Sequence, residues 1–407
     1  MADEFYGARR LSPDGVWCVH SYYTTNPQAP DGSGRLLLSG ADLDAGKSYV
    51  YILSPTGEIL ARFGENTPDA SFWHTGAWQT WSPDARYVYY QSGSLKDPRI
   101  CRYEVSTGKI DELAGDMEGA PPSGEPIISG FLGMLYAAGY GDGHYHPEAA
   151  PFRFEDREAH GLFRYSFANG GTRELALSVA QVLAAHPERE SLLAAEGEFI
   201  ARTGHKEGFT LMLYCVRWNP QGDRLLFHFG NHNVDKSRGE GRICYVFTAK
   251  RDLTDIRLAL NTGGDKVGVH FGWHPDGEHL IGYYTHPDAG GKLALCQVGY
   301  DGSDLKIISR HASGGHPSIS PIDERLLLTD EYGKTGRMLA IDLDTDTVVA
   351  DWRLPRTYGD TVPPGRHPLP LDPHPVFVDG GKRIVFNILP DRNGAVYETD
   401  APERKKL

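Results

Sequence analysis

The sequence predicts an all-β fold, a seven-bladed β-propeller, from two observations: its turn punctuation and a repeat of roughly 50 residues. Across 407 residues, 48 glycines and 27 prolines are spread evenly, and short β-branched and aromatic runs lie between them. The repeat emerges when the turns are aligned. Each unit opens on a polar turn of the form xPDG, continues as an apolar strand and adds a second hairpin. The series runs QAPDGSGRLLLSG, WSPDARYVYYQSG, WNPQGDRLLFHFG, WHPDGEHLIGYYT, ISPIDERLLLTDE and FVDGGKRIVFNIL. A further unit without the PDG turn, EPIISGFLGMLYAAGY followed by GLFRYSFANGGTRELAL, falls between the second and third.

Two hairpins per unit give four strands per blade. The last unit ends in a thin strand pair, so the segment FYGARRLSPDGVWCVHSYYT is expected to help close the ring, which removes exposed sheet edges. One unit, residues 1–407, accounts for the whole chain. Helical periodicity is confined to LALSVAQVLAAHPERESLLAA, residues 175–195, which predicts a helical insertion between blades. A pair of β-sandwiches is the rival architecture, and the common register of the repeat argues against it.

Composition narrows the function classes. The 40% hydrophobic content suits a globular core. No apolar run reaches the ~18 residues of a membrane span. A net charge of −13 argues against a general nucleic-acid binder. The opening MADEFYGARR is charged and lacks an apolar stretch, which points to the cytoplasm, or to the periplasm or exterior if a leader has been removed. Five cysteines without CxxC spacing read as reduced core thiols.

The aligned repeat exposes a set of histidines. His270 lies five residues before its turn proline, His316 lies five before the next, and His374 takes the same place in the last unit. Earlier units hold Cys215, Trp78 and Thr25 there. Three consecutive blades thus present imidazole where the innermost strand begins. Neutral imidazole is a common ligand for manganese, zinc and related ions, and Asp372 offers a carboxylate two residues before His374. The plainer reading is three histidines hydrogen-bonded to loops around a water-filled channel.

Other residues suit a sugar or an anion. His74 sits among Trp73, Trp78 and Trp81, and aromatic faces beside a polar tip stack on sugar rings. The long segment GYGDGHYHPEAAPFRFEDREAH carries Tyr140, His144, Tyr145, His146, Arg153 and Arg157, and His205 lies in ARTGHKEG. HFGNHNVDKSRGEGRICYVF places His232, Lys236, Arg238 and Arg242 between two strands, a local basic patch suited to an anionic ligand. Each of these reads equally as a satisfied loop or surface group.

The segments YYTTNPQAPDGSGRLLLSG, VHFGWHPDG, GHPSISPID and PHPVFVDGGKRIVF resemble oligogalacturonate lyases. More loosely, the chain resembles the wider group of propeller lyases acting on uronate glycans, including ulvan and rhamnosyl-glucuronate lyases. The resemblance covers most of the chain. It implies a divalent cation, commonly manganese, held by three histidines and a glutamine. His316 and His374 match two of the histidines, Asp372 stands at the third, and Leu369 at the glutamine. A carboxylate in place of imidazole shifts preference toward manganese or calcium, with zinc a further possibility. The resemblance also implies an arginine base on the fourth blade, matched by Arg242, and a nearby active-site histidine, matched by His270.

A lyase of this kind removes the proton at C5, α to a uronate carboxylate, and expels the O4 substituent. It must neutralise the charge that builds on the carboxylate and supply a base and an acid. In this reading the metal and His270 face the carboxylate. Arg242 or His74 is the base, and Tyr140 or a histidine at 144 or 146 is the proton donor. His144, His146, Arg157, His205, His232, Arg238 and Trp78 contact an anionic oligosaccharide. A non-catalytic TolB-like or WD40-like binding module is the alternative. A propeller hydrolase would need two carboxylates near the site, where only Asp372 is placed.

Overall fold

The computed structural model describes residues 7–67, 75–94, 97–130, 152–231, 238–331, 336–354, 371–390 and 393–404. Seven antiparallel sheets follow one another along the chain, and together they form a seven-bladed β-propeller. The fourth blade shows the plan. Met212–Trp218 is innermost and pairs with Arg224–Gly230, then Cys244–Lys250, then Arg257–Asn261. The third blade has three strands among the described residues, Ile127–Ser129, Gly161–Ser166 and Thr172–Ser178.

Burial falls from the channel outward, which explains the apolar runs. The second strand of the second blade, Tyr87–Ser94, is buried over residues 88–91, whereas its outermost strand, Ile110–Ala114, alternates exposed and half-buried positions. Inner strands are covered on both faces by neighbouring blades, so they read as continuous hydrophobic stretches. One such interface packs Leu37, Val50, Val88 and Tyr90 from the first two blades with Val385 and Val396 from the last.

The chain's two ends close the ring. Arg9–Arg10 adds the outermost strand of the last blade, opposite Glu398 and Tyr397, and the Leu11 N–H donates to the Val396 carbonyl at 2.9 Å. Trp17–Val19 is then the innermost strand of the first blade. The segment expected to complete the ring therefore serves two blades at once.

The polar turns lie at the lower end of the channel. In the fourth blade the Asn219 side-chain oxygen accepts the N–H groups of Asp223 and Arg224, both at 3.1 Å. Gly222 takes φ +69°, and Ala85 takes φ +53° at the same place in the second blade. This left-handed position favours glycine.

The helical insertion begins later than its sequence periodicity suggests. Residues 172–178 are a strand, followed by α1, Val179–Ala185, and α2, Arg189–Thr203. Ser178 and Gln181 cap α1 reciprocally, and Gly204 ends α2 at φ +80°. Both helices bury Val182, Leu192 and Phe199 against the third and fourth blades. Outer strands end at the upper mouth, so the insertion stands there. All five cysteines are buried thiols outside any disulfide. Among the described residues no helix is long and apolar enough to cross a membrane.

Candidate metal centre at the channel mouth

A recurring irregularity in the innermost strands builds the site. In the fourth blade the ladder shifts between Tyr214 and Arg217, and in the fifth between Val269 and Gly272. The second, sixth and seventh blades show the same extra residue: Gln91 N–H reaches the Ala77 carbonyl, Gly314 bridges Glu331, and Asn387 N–H reaches the Pro373 carbonyl. Such bulges re-aim a side chain. The extra positions carry Trp78, Cys215, His270, His316 and His374, and four of the five adopt positive φ: Trp78 at +52°, Cys215 at +55°, His270 at +55° and His374 at +44°. A non-glycine residue there costs roughly 1–3 kcal/mol, which the surrounding blades must hold.

The bulges bring three imidazoles together. The His270 and His316 ring centres are 4.2 Å apart, and those of His316 and His374 are 4.3 Å apart at 90°. One ligand atom each from His316, Asp372 and His374 lies within 4.8 Å of the others, and all three residues are buried. Among the described residues no other three histidine, cysteine or acidic side chains gather this way. Donors about 2.1 Å from one ion lie at most about 4.2 Å apart, so small side-chain movements close this trio on a cation.

Hydrogen bonds fix the imidazole tautomers. His316 Nδ1–H donates to Asp330, 3.0 Å from each carboxylate oxygen. His374 Nδ1–H donates to the Ser21 carbonyl at 3.1 Å, and His270 Nδ1–H to the carbonyls of Gly314 and Gly315, both at 2.9 Å. With hydrogen on Nδ1, each neutral ring carries its lone pair on Nε2, the form a metal takes. Burial, and then the neighbouring His316, lowers the His270 pKa to about 3. Burial opposes charge on His316 as well, but Asp330 and then Asp372 outweigh it and raise its pKa. Two imidazoles and a carboxylate suit manganese, iron or zinc, whereas calcium prefers all-oxygen sites.

The last blade's ligand loop is tied from three sides. Asn387 donates to the Asp372 carbonyl at 3.1 Å and accepts the His20 N–H at 3.0 Å. His20 Nε2–H donates to the His374 carbonyl at 2.7 Å. The His374 N–H reaches Asp330 at 3.1 Å.

The first blade departs from the register. Thr25 does not stand opposite the histidines, because the strand ends at Val19 and pairing resumes only near Gln28. The excursion between them carries Tyr22 and Tyr23 into the channel. Tyr22 lies 4.8 Å from His374 and 5.3 Å from Trp78, and Tyr23 lies 5.1 Å from His316. Below them Arg217 is 7% exposed, with its guanidinium 4.8 Å from the Tyr22 ring centre, 5.1 Å from that of Trp78 and 3.4 Å from Glu118. Burial opposes the Arg217 charge, but Cys215 and Glu118 outweigh it and raise its pKa. A charged residue inside the apolar run LYCVRW was the available sequence signal for Arg217. The doubled tyrosine in an overlong connection was the signal for the first blade.

The remaining sequence candidates fare differently. Trp78 is only 4% exposed and packs beneath Tyr22, so its faces are not open for a sugar to stack on. Arg157 pairs with Glu196 at 3.1 Å and the Phe209 carbonyl at 3.3 Å, which anchors α2. His205 is held by Glu207 at 2.9 Å. Arg238 is engaged by Glu207 and Glu240, each at 2.7 Å. These three side chains serve internal ties, because neighbouring carboxylates reach them first. The cationic patch expected around Arg238 therefore reduces to Arg242 among the described residues. Arg242 is exposed and donates to the Lys266 carbonyl at 3.4 Å. It shares the upper mouth with the histidines, since Cys244 and Gly230 pair at that end of the blade. His74, Tyr140, His144, His146, His232 and Leu369 lie outside the described residues. His270 uses Nδ1 on the Gly314 and Gly315 carbonyls and lies beside His316.

No protein-family model matches the chain, and no curated protein sequence does. Solved structures do match. An oligogalacturonate lyase in complex with manganese is similar over 99% of this chain and 95% of its own, at 16% identity and a TM-score of 0.64. The oligogalacturonate lyase of Vibrio parahaemolyticus is similar over 98% and 94%, at 14% identity and a TM-score of 0.64. At these identities the likeness establishes a shared fold, the seven-bladed propeller of the oligogalacturonate lyases, along nearly the whole chain.

Proposed function

We propose that this protein is a metal-assisted lyase that cleaves a uronate-containing oligosaccharide by β-elimination. The observation that carries the reading is the buried trio His316, Asp372 and His374 at the mouth of a propeller that matches a manganese-complexed lyase end to end.

His316, Asp372 and His374 would hold the divalent cation, with manganese first and zinc second. Calcium ranks lower because two of the three donors are nitrogen. When bound, the cation neutralises the charge that develops on the substrate carboxylate as the C5 proton leaves. His270, neutral and only weakly basic, contributes a lone pair beside this centre and is a poor proton abstractor. The base is Arg242 or His74. Guanidinium rarely deprotonates, so Arg242 in the alternative clamps the uronate carboxylate and His74 takes the proton. Tyr140, His144 and His146 remain the proton-donor candidates for the O4 leaving group. The substrate is a short anionic saccharide, an oligogalacturonate or a rhamnosyl-glucuronate.

The test is the ultraviolet absorbance of the unsaturated uronate product during incubation with a panel of uronate oligosaccharides and manganese. A rise that depends on His316 is expected. No rise with any substrate, in protein that retains bound metal, would overturn the lyase reading in favour of a binding module.

A further inference from the structure

Asp330 belongs to neither the ligand trio nor the residues singled out from the sequence, yet it touches two of the three ligands. It ends the strand Leu326–Asp330, the second of the sixth blade, and is 1% exposed. One carboxylate oxygen accepts the backbone N–H of His316 at 2.7 Å, and both oxygens lie 3.0 Å from His316 Nδ1. The second oxygen also accepts the backbone N–H of His374, on the seventh blade, at 3.1 Å.

We propose that Asp330 is the positioning residue of the metal centre: one buried carboxylate sets the tautomer of His316 and the spacing between ligands contributed by two adjacent blades. The proposal rests on the metal reading above. A carboxylate that accepts the Nδ1–H of a ligating histidine holds the ring in plane and makes Nε2 a stronger donor. By also gripping the His374 backbone, Asp330 ties the sixth blade to the seventh beside the ligands.

A second observation shows that the chain is built around this contact. A Cβ on Gly315 would stand 1.8 Å from the Asp330 carbonyl and 2.3 Å from its Oδ1. Only glycine lets the His316 segment lie this close to the carboxylate. His270 holds the same segment from the other side through the Gly314 and Gly315 carbonyls. The GGHP sequence thus serves the positioning contact as well as the turn.

The experiment uses the full chain, stripped of metal and titrated with manganese alone. Asp330→Asn is expected to weaken manganese binding roughly 10- to 100-fold relative to the parent. Thr329→Val removes a buried hydroxyl from the same strand without touching the carboxylate, and it is expected to bind manganese as the parent does. Nitrogen-15 spectra of the metal-free parent, at a pH high enough to leave the ring neutral, should show the single His316 proton on Nδ1. Parent binding with Asp330→Asn within twofold of it overturns the role of Asp330 alone. A neutral His316 ring in the parent with its single proton on Nε2 overturns it too, and decides the matter if Asp330→Asn does not fold. Absence of manganese binding by the folded parent overturns the metal reading itself and, with it, this proposal.

Discussion

His20 on the first blade donates through Nε2 to the backbone carbonyl of His374 on the last, at 2.7 Å. The contact spans the seam where the ring closes. The loop that supplies two of the three ligand atoms is therefore held by the residue that follows the first blade's innermost strand. Ring closure and ligand placement are one structural event.

Removing that tie has a defined consequence. His20→Ala deletes a buried donor and leaves a cavity, which together cost about 2–4 kcal/mol. Denaturant unfolding of metal-free protein should show the loss, and manganese affinity should fall with it. Unchanged stability would mean that the seam is held without His20.

Metal binding to the folded state alone is stabilising. Manganese at a hundred times its dissociation constant should add about 2.7 kcal/mol, read as a rise in melting temperature of several degrees. His316→Ala and His374→Ala should abolish the increment, and metal analysis of the purified variants should find no bound ion. A manganese-dependent rise that survives in both variants would place the ion elsewhere.

Arg217 and Glu118 are buried together in the channel. Arg217→Met strands the carboxylate and should cost about 3–5 kcal/mol. The double variant with Glu118→Gln should recover much of this, because no uncompensated charge remains. Arg217→Lys should recover little, since an ammonium does not reproduce the planar contacts with Tyr22 and Trp78. Urea midpoints of the four proteins check the pattern.

Arg242 stands apart from the trio and is exposed, so its loss should leave the metal centre intact. Under the lyase reading, Arg242→Ala lowers product formation roughly 100-fold or more while manganese affinity stays that of the parent. His74→Ala tests the other base in the same assay. If both variants retain parental activity, neither residue is the base.

Two buried histidines outside the ligand trio predict an acid limit to stability. Burial holds His160 and His186 below the ordinary imidazole value. The unfolded chain, whose imidazoles titrate near 6.5, binds protons that the fold resists. Their contribution is therefore complete above about pH 6.5 and is lost as pH falls through the lower folded values. Melting temperature should drop over that window, and His186→Asn, which can still accept the Glu188 N–H, should flatten the drop. A profile unaltered by this substitution would exclude His186 as a contributor.

Much of this was legible in the chain itself. The xPDG turns and apolar runs specify repeated hairpins, because turn chemistry and strand burial are local. The common offset of His270, His316 and His374 before their turns is likewise local, and a ring converts equal offsets into neighbouring positions. The offset failed at Thr25, because the first blade swaps a one-residue bulge for an excursion that delivers Tyr22 and Tyr23. No spacing rule announces that substitution.

What only the tertiary structure decided is which polar groups meet across blades. Asp330 sits in an apolar strand and looks like a strand end, yet it grips ligands on two blades. Arg217 looks like an interruption of an apolar run, yet from the fourth blade it pairs with Glu118, which precedes the described strands of the third. Partners at these positions are chosen by the angle at which neighbouring sheets face one another. That angle is a property of the whole ring, and no single repeat contains it.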